Sequence, residues 1–588
     1  MMKRRFKNLK TKGAALLLTT CFLLTGCGAA SQGTTGTVAT EPGTIVTAYS
    51  NQEIELKIKK AGEKYDGLNN DYSERNYSKN YMNGGSMIMA ESEASDDLSG
   101  AVSSYNGGQY ITDWNEINWN TEDYNNIKES GFLSVATAPF STFGADVDTA
   151  TYTNLRRRIF AGDEFGISDS AIRIEEMINY FHYDYAAAKE GEKFGVTTAL
   201  TPCPWNKDTL LLRVGVKAEE IQPKGGSNIV FLIDTSGSMF NGDKLPLAQK
   251  AFSLLTDNLS DEDTISIVTY AGTEEVVLDG ARGDKKEEIK AAINQLEAYG
   301  CTNGEGGIKK AYEIAEKHFV KGGNNRIILA TDGDLNVGVS SEADLISLVE
   351  NKRETGVFLS CLGFGTGNYK DSKMEALADY GNGNYAYIDC TAEATRVLKD
   401  EMWSTLYTVA KDVKFQVEFN PEQVKGYRLV GYENREMAAE DFANDKKDGG
   451  EVGSGQTVTV LYEIVPADSS FSVGEITSRY GNDSNTVEAA GIVNEDELLA
   501  VNIRYKEPDA SESKLLTYPV TKDMLMDTMD ADTSFAAGVA EFGMLLRDSE
   551  YKGTASYQEI YDRLKVLPGV MDDEFKAEFL YMVNKVSE

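Results

Sequence analysis

From Asn228 to about Ala410 short apolar runs alternate with amphipathic helical stretches, and this rhythm restricts the fold more than any other feature of the chain. The runs are Ile229–Ile233, Thr264–Thr269, Ile327–Ala330, Val357–Leu362 and Tyr385–Ile388. Strands that are apolar throughout must be covered on both faces, so the pattern predicts an α/β unit with a doubly wound, mainly parallel sheet. Ligands of such sheets sit beyond the carboxyl ends of the strands.

The flanks read differently. Upstream, Thr149–Phe160 and Ser168–Phe181 are predicted helices, followed by strands at Phe194–Leu200 and Leu210–Lys217. Downstream, Val413, Phe415, Val417 and Phe419 alternate with polar residues. So do Val458, Val460, Tyr462 and Ile464, and Leu499, Val501, Ile503 and Tyr505. Period-two alternation marks half-buried antiparallel strands. Strand supply on both sides suggests one composite β-sandwich with the α/β unit inserted in it. Phe535, Val539, Phe542 and Leu546, then Met571, Phe575 and Phe579, recur at helical steps and predict a helical end. The expected divisions are a leader at 1–26, a tether at 27–118, an α+β region at 119–222, the α/β unit at 223–410, a β-rich stretch at 411–515 and a helical region at 516–588.

Lys3, Arg4, Arg5, Lys7, Lys10 and Lys12 precede the apolar run Ala14–Leu24, which ends in Leu24-Thr25-Gly26-Cys27. This resembles a bacterial lipoprotein signal, which implies a lipid on Cys27, cleavage before it and an extracytoplasmic place on the cell membrane. Residues 28–118 are rich in Gly, Ser, Thr, Asn, Asp and Tyr and read as a mostly disordered tether with order starting near Trp119. As a coil it would span roughly 50 Å. Cys361 and Cys390 lie in neighbouring strand-like runs and could pair or stay as buried thiols.

Lys plus Arg is 58 and Asp plus Glu is 93, a net charge of −35, which argues against nucleic acid as a partner. Only His182 and His318 exist, too few for a multi-histidine zinc site. Chemistry is instead concentrated in oxygen donors. Asp234, Ser236 and Ser238 follow the first buried run, with Gly237 permitting a tight turn. Thr302 sits in a loop between helices, and Asp332 follows the run Ile327–Ala330. Two carboxylates and three hydroxyls suit a hard divalent cation: Mg²⁺, with Mn²⁺ or Ca²⁺ as alternatives.

Asp234-x-Ser236-x-Ser238, Thr302 and Asp332 resemble the metal-ion-dependent adhesion site of von Willebrand factor type A domains. Ser141–Tyr152, Arg173–Phe181, Ala330–Asp334, Phe542–Leu546 and Arg563–Gly569 are similar to bacterial lipoproteins of the YfbK type. The resemblance covers roughly 120–588. It implies that Ser236, Ser238 and Thr302 bind the ion directly, that Asp234 and Asp332 bind directly or through water, and that one position stays open for a carboxylate of a protein partner. Against the chain's own negative charge, such a partner is expected to carry a positive rim.

Other motifs are weaker. Gly363-Phe-Gly365-Thr-Gly367, with Asp389 beyond, imitates a dinucleotide fingerprint but has Asn368 at its sixth position; a turn at the sheet edge is the simpler reading. Asp146-x-Asp148 offers a second cation site or a helix cap. Asp243, Glu305 and Asp334 read as solvated rim charges. The expected function is non-catalytic: a surface lipoprotein gripping a protein in adhesion or envelope assembly. An accessory subunit of a transporter or channel is the alternative, and a metal-dependent hydrolase a weaker third.

Overall fold

The computed structural model describes residues 36–40, 44–64, 122–163, 167–221, 225–335, 342–474, 496–508 and 510–587. The leader, Cys27 and Trp119 lie outside them. Within the first compact unit, Met1–Gln52, β1 (Gly36–Thr40) and β2 (Thr44–Ala48) form an antiparallel pair. No helix of the described residues is long and apolar enough to cross a membrane.

The stretch read as a tether is not structureless throughout. Residues 51–64 form helix α1, whose Ile54, Ile58 and Ala61 are buried. In the second unit, Glu53–Glu588, Lys57 donates to the carbonyl of Met571 (3.0 Å) and Tyr561 to Glu55 (2.7 Å). The apolar residues recur at steps of four and three, so the helical signal was present but lay in a strongly polar surround.

Two five-stranded sheets face each other around one core. The first runs β15 (Gly450–Gly453), β13 (Thr408–Phe419), β17 (Glu497–Lys506), β18 (Lys514–Thr521), with β4 (Phe140–Gly144) also on β13. The second runs β3 (Leu133–Ser134), β14 (Val424–Val430), β16 (Thr457–Pro466), β6 (Leu210–Ala218), β5 (Phe194–Pro202). Both sheets mix strands from before and after the α/β unit. Leu212, Val214 and Val216 of β6 share a core with Val413, Phe415, Val417 and Phe419 of β13, which makes the sandwich composite as expected. The stretches 119–222 and 411–515 are therefore halves of one body. Strand β18 also runs into the region read as helical from residue 516.

The inserted unit has strand order β12 (Tyr385–Ile388), β11 (Phe358–Phe364), β10 (Asn324–Thr331), β7 (Ser227–Asp234), β8 (Thr264–Tyr270), β9 (Glu274–Arg282). All pairings are parallel except β8–β9. Neighbours along β7 face opposite ways. Phe231 and Ile233 pack with Phe252 of α4 (Leu245–Asn258) and Ile289 of α5 (Lys286–Asn294). Val230 and Leu232 pack with Ala311 and Tyr312 of α6 (Gly304–Lys317) on the other face. Helices α7 (Glu342–Arg353) and α8 (Asp371–Tyr380) complete that side.

Helix α2 (Ala150–Ala161) matches its expectation, but the helix expected at Ser168–Phe181 is broken. Ser168 caps a 3₁₀ turn, Ile172 and Arg173 are extended, and α3 covers only Ile174–Asn179. The break carries Arg173 to Glu176 (2.8 Å), Asp371 (2.6 Å) and Glu375 (2.8 Å). At the end, α11 (Ala531–Leu546), α12 (Tyr557–Leu564) and α13 (Glu574–Ser587) are helical. Met571 stands apart from Phe575 and Phe579, because Asp573 ends its 3₁₀ turn and caps α13 through the amides of Phe575 and Lys576. Short helices α9 (Thr391–Thr395) and α10 (Met402–Leu406) lead from the inserted unit to β13. Cys203, Cys301, Cys361 and Cys390 are all free thiols, and only Cys301 is exposed.

Candidate functional site

Strand β7 is buried along its whole length and delivers Asp234 to the carboxyl edge of the sheet. Its neighbours β10 and β8 arrive from opposite directions in the chain, so the edge beside β7 is a switch point at which loops diverge and leave a crevice. Ser236 is extended (φ −62°, ψ 161°), but Gly237–Phe240 is a 3₁₀ turn. Ser238 therefore reaches Ser236 by the turn, not by simple alternation; the two Oγ atoms are 3.1 Å apart. Gly237 is needed for closeness more than for a special φ. Its amide donates to the carbonyl of Gly300 (3.0 Å), and a Cβ there would stand 3.2 Å from that oxygen.

That bond, with the Tyr299 amide donating to the carbonyl of Thr235 (2.8 Å), ties the Thr302 loop to the Asp234 loop. Thr302 is buried in this loop, and Asn303 caps α6 by accepting from the Gly306 amide. Asp332 follows β10 directly and is fully buried. All five expected oxygen-bearing residues thus stand on three loops at the same edge of one sheet.

The carboxylates differ. Asp234 accepts from the Ser236 amide (2.9 Å), Thr331 Oγ1 (2.8 Å) and Tyr270 (3.2 Å). Burial, and after it the charge of Asp332, push its pKa up to about 6. Burial also acts on Asp332, yet Lys244 and hydrogen bonds from Asn368 and Ser238 hold it below the ordinary value. Lys244 Nζ stands 3.0 Å from Asp332 Oδ2, and Asn368 Nδ2 stands 3.1 Å from the same oxygen.

Lys244, Asn368, Thr331 and Tyr270 escaped the sequence reading. Thr331 adjoins Asp332, and Lys244 opens α4, so proximity in sequence was a usable signal for these two. Nothing local marked Asn368 and Tyr270, which come from other strand ends. Two carboxylates and three hydroxyls form an all-oxygen donor set, the chemistry a hard divalent cation takes. The charge of Asp332 helps to raise Asp234, and a bound cation would relieve that repulsion.

The surrounding motifs serve structure. Asp146 and Asp148 neither cap α2 nor stand free: Arg435 lies 3.2 Å from Asp146 Oδ2 and 3.3 Å from Asp148 Oδ2, and the Tyr385 amide donates to Asp148 (2.8 Å). The Gly363–Gly367 turn closes over Lys244 at Gly365 (φ +79°), and the Gly367 amide donates to Glu122 (3.1 Å). Glu305 is paired with Lys309, and the Asp334 amide donates to Asp332 Oδ1 (3.1 Å). Asp243 is half-buried, and that burial pushes its carboxyl up, so it is less open to solvent than a free rim charge.

A wound, mainly parallel sheet with these loops at its carboxyl edge defines a von Willebrand factor type A domain, and the family model of that name matches residues 228–401. Models described as "Uncharacterized protein YfbK, C-terminal" and "von Willebrand factor" match 404–588 and 118–213. The uncharacterized protein YfbK of Escherichia coli K12 is 40% identical over 472 residues, spanning 79% of this chain and 80% of that one. The chain belongs to the YfbK family. Among solved structures, a von Willebrand factor type A protein from Catenulispora acidiphila is 17% identical, covering 61% of this chain and 80% of that one, with a TM-score of 0.36. Proximal thread matrix protein 1 of the mussel byssus, solved with a zinc-occupied MIDAS motif, is 23% identical over 32% of this chain and 46% of its own, with a TM-score of 0.26.

Proposed function

We propose that the chain is a binding protein whose Asp234, Ser236, Ser238, Thr302 and Asp332 hold a divalent cation, Mg²⁺ foremost, and through it grip a carboxylate of a protein partner. The observation that carries this reading is the convergence of the three loops, pinned by Gly237 to Gly300 and Tyr299 to Thr235, around paired serine hydroxyls and two unlike carboxylates. A bound ion would supply one open coordination position. The residues supply the rest: oxygen donors held in place by backbone bonds, with Thr331 and Tyr270 orienting Asp234. Binding is favoured over hydrolysis because neither histidine stands among the five donors: His182 lies against Glu401 (2.9 Å), and His318, at the end of α6 away from Thr302, lies against Asp279 on β9 (2.7 Å).

The N-terminal signal-like segment supports attachment to the extracytoplasmic face of the cell membrane through a lipid on Cys27. In that setting the chain would act in adhesion or envelope assembly. The test is capture from detergent-solubilised membranes with wild type and Asp234→Ala, each in Mg²⁺ and in EDTA. The reading expects partner recovery only for wild type in Mg²⁺. Equal recovery in all four arms would refute it. Co-purification of a membrane transporter or channel as the Mg²⁺-dependent partner would favour the accessory-subunit role.

A further inference from the structure

Lys244 places its ammonium group against Asp332, inside the candidate metal site. It is only 4% exposed. Its amide donates to the carbonyl of Asn241 (3.0 Å) and its carbonyl accepts from Ala248, so its backbone is fixed at the start of α4. Its stem passes beneath Gly365, where any Cβ would collide with it. Its ammonium donates to Asp332 Oδ2 (3.0 Å) and Asn368 Oδ1 (2.8 Å), while Asn368 Nδ2 donates back to the same Asp332 oxygen (3.1 Å). This is a closed triangle in a dry place, and the ammonium cannot swing into solvent as a surface lysine does.

We propose that Lys244 is a resident counter-cation that lowers the site's affinity for divalent ions and leaves the loaded site with a net positive charge that selects an anionic partner group. The inference rests on the metal-binding reading above and adds what sets its affinity and ligand preference. Asp234 and Asp332 bring two negative charges. Without Lys244 a divalent ion would be neutralised; with it, the loaded site keeps one positive charge. Two cations sharing one buried carboxylate repel strongly because little water screens them. The lysine therefore trades ion affinity for attraction to a carboxylate. The same charge keeps Asp332 compensated while no ion is bound, so the loop stays formed.

The test is calorimetric titration of the full chain with Mn²⁺ alone, comparing wild type with Lys244→Met, which keeps length, and Lys244→Gln, which keeps a donor for Asp332. Both variants should bind Mn²⁺ at least tenfold more tightly and gain more melting temperature from it than wild type. Acetate, followed by water-proton relaxation of the bound Mn²⁺, should bind the loaded variants at least threefold more weakly. Unchanged or weaker Mn²⁺ affinity in folded variants, beside a wild type that binds, overturns the role of Lys244 alone. If wild type, both variants and Asp234→Ala all fail to take up Mn²⁺, the metal reading falls and this proposal with it. Uptake by the variants but not by wild type would support the proposal in its strongest form.

Discussion

Arg156 offers the sharpest test of how the inserted domain is held. It lies on α2 with no exposed side-chain surface and clamps Asp389 at 2.8 and 2.6 Å, Glu393 at 2.9 Å and Glu578 at 3.3 Å. Asp389 and Glu393 lie four positions apart, at the end of β12 and in α9, and Glu578 is on α13, so one guanidinium joins its own helix to two other segments distant in sequence. Asp389 is 6% exposed at its side chain, and Glu393 and Glu578 are fully buried. Arg156→Met keeps the volume roughly and removes the charge. Glu393 retains Arg396 at 2.7 Å, but Asp389 loses its bidentate partner. Breaking a buried pair from one side costs about 3–5 kcal/mol, because a desolvated charge is left uncompensated. At about 2.1 cal/mol/K of unfolding entropy per residue, a cooperative unit the size of Glu53–Glu588 moves by roughly 1 °C per kcal/mol, so the melting transition should fall by roughly 3–5 °C. Scanning fluorimetry of the full chain would read it, and hydrogen exchange should speed up first in α2, α9 and α13. Adding Glu578→Gln should restore about 1 kcal/mol or more, since the two residues interact directly. A fall under about 1 °C, which this size relation equates to less than about 1 kcal/mol, or strict additivity of the two substitutions, would refute the argument.

Burial, and after it the charges of Glu433 and Asp146, push the Glu175 carboxyl well above its usual range. A folded value above the unfolded one means stability is lost as pH rises from about 4.5 through the folded value; Glu175→Gln should raise the melting temperature measured at pH 8 and change it little at pH 4. Any Cβ on Gly62 would enter the ring of Tyr581, so Gly62→Val should release residues 53–64, read as faster exchange and proteolysis there, while the transition of the sandwich is kept. Maleimide should label Cys301 in the native chain but not Cys203, Cys361 or Cys390, whose buried thiols are pushed above their ordinary values; peptide mapping would show which sites react.

The sheet of the inserted domain was legible because its strands are buried on both faces and read as unbroken apolar runs. Strand β9 was not: it is an edge strand carrying Glu274, Glu275 and Asp279, half exposed, with register shifts against β8. The sandwich stripes were legible for the opposite reason, since one face meets the core and the other does not. The broken helix at Ile172–Arg173 was illegible, because the residues that pull Arg173 out of helical geometry, Asp371 and Glu375, lie about 200 positions away. At the site, residue types at spaced loops announced Asp234, Ser236, Ser238, Thr302 and Asp332. The neighbours that set the charge balance, Lys244 and Asn368, needed the folded chain, as did the capture of Asp146 and Asp148 by Arg435.

The inserted domain leaves the sandwich after β6 and returns at β13, one strand in each facing sheet. The two passages are laced together where Ser227 Oγ meets the Tyr407 hydroxyl (2.5 Å) and through Ser454, between β15 and β16, whose amide donates to the carbonyl of Tyr407 (2.8 Å) and whose Oγ accepts from the Ile221 amide (2.9 Å). A tug on the loop edge that carries Asp234 would therefore arrive as tension on both sheets at once. Prising the domain loose would mean opening the shared apolar interior, not unzipping a single strand, and that makes the neck a sturdy coupling.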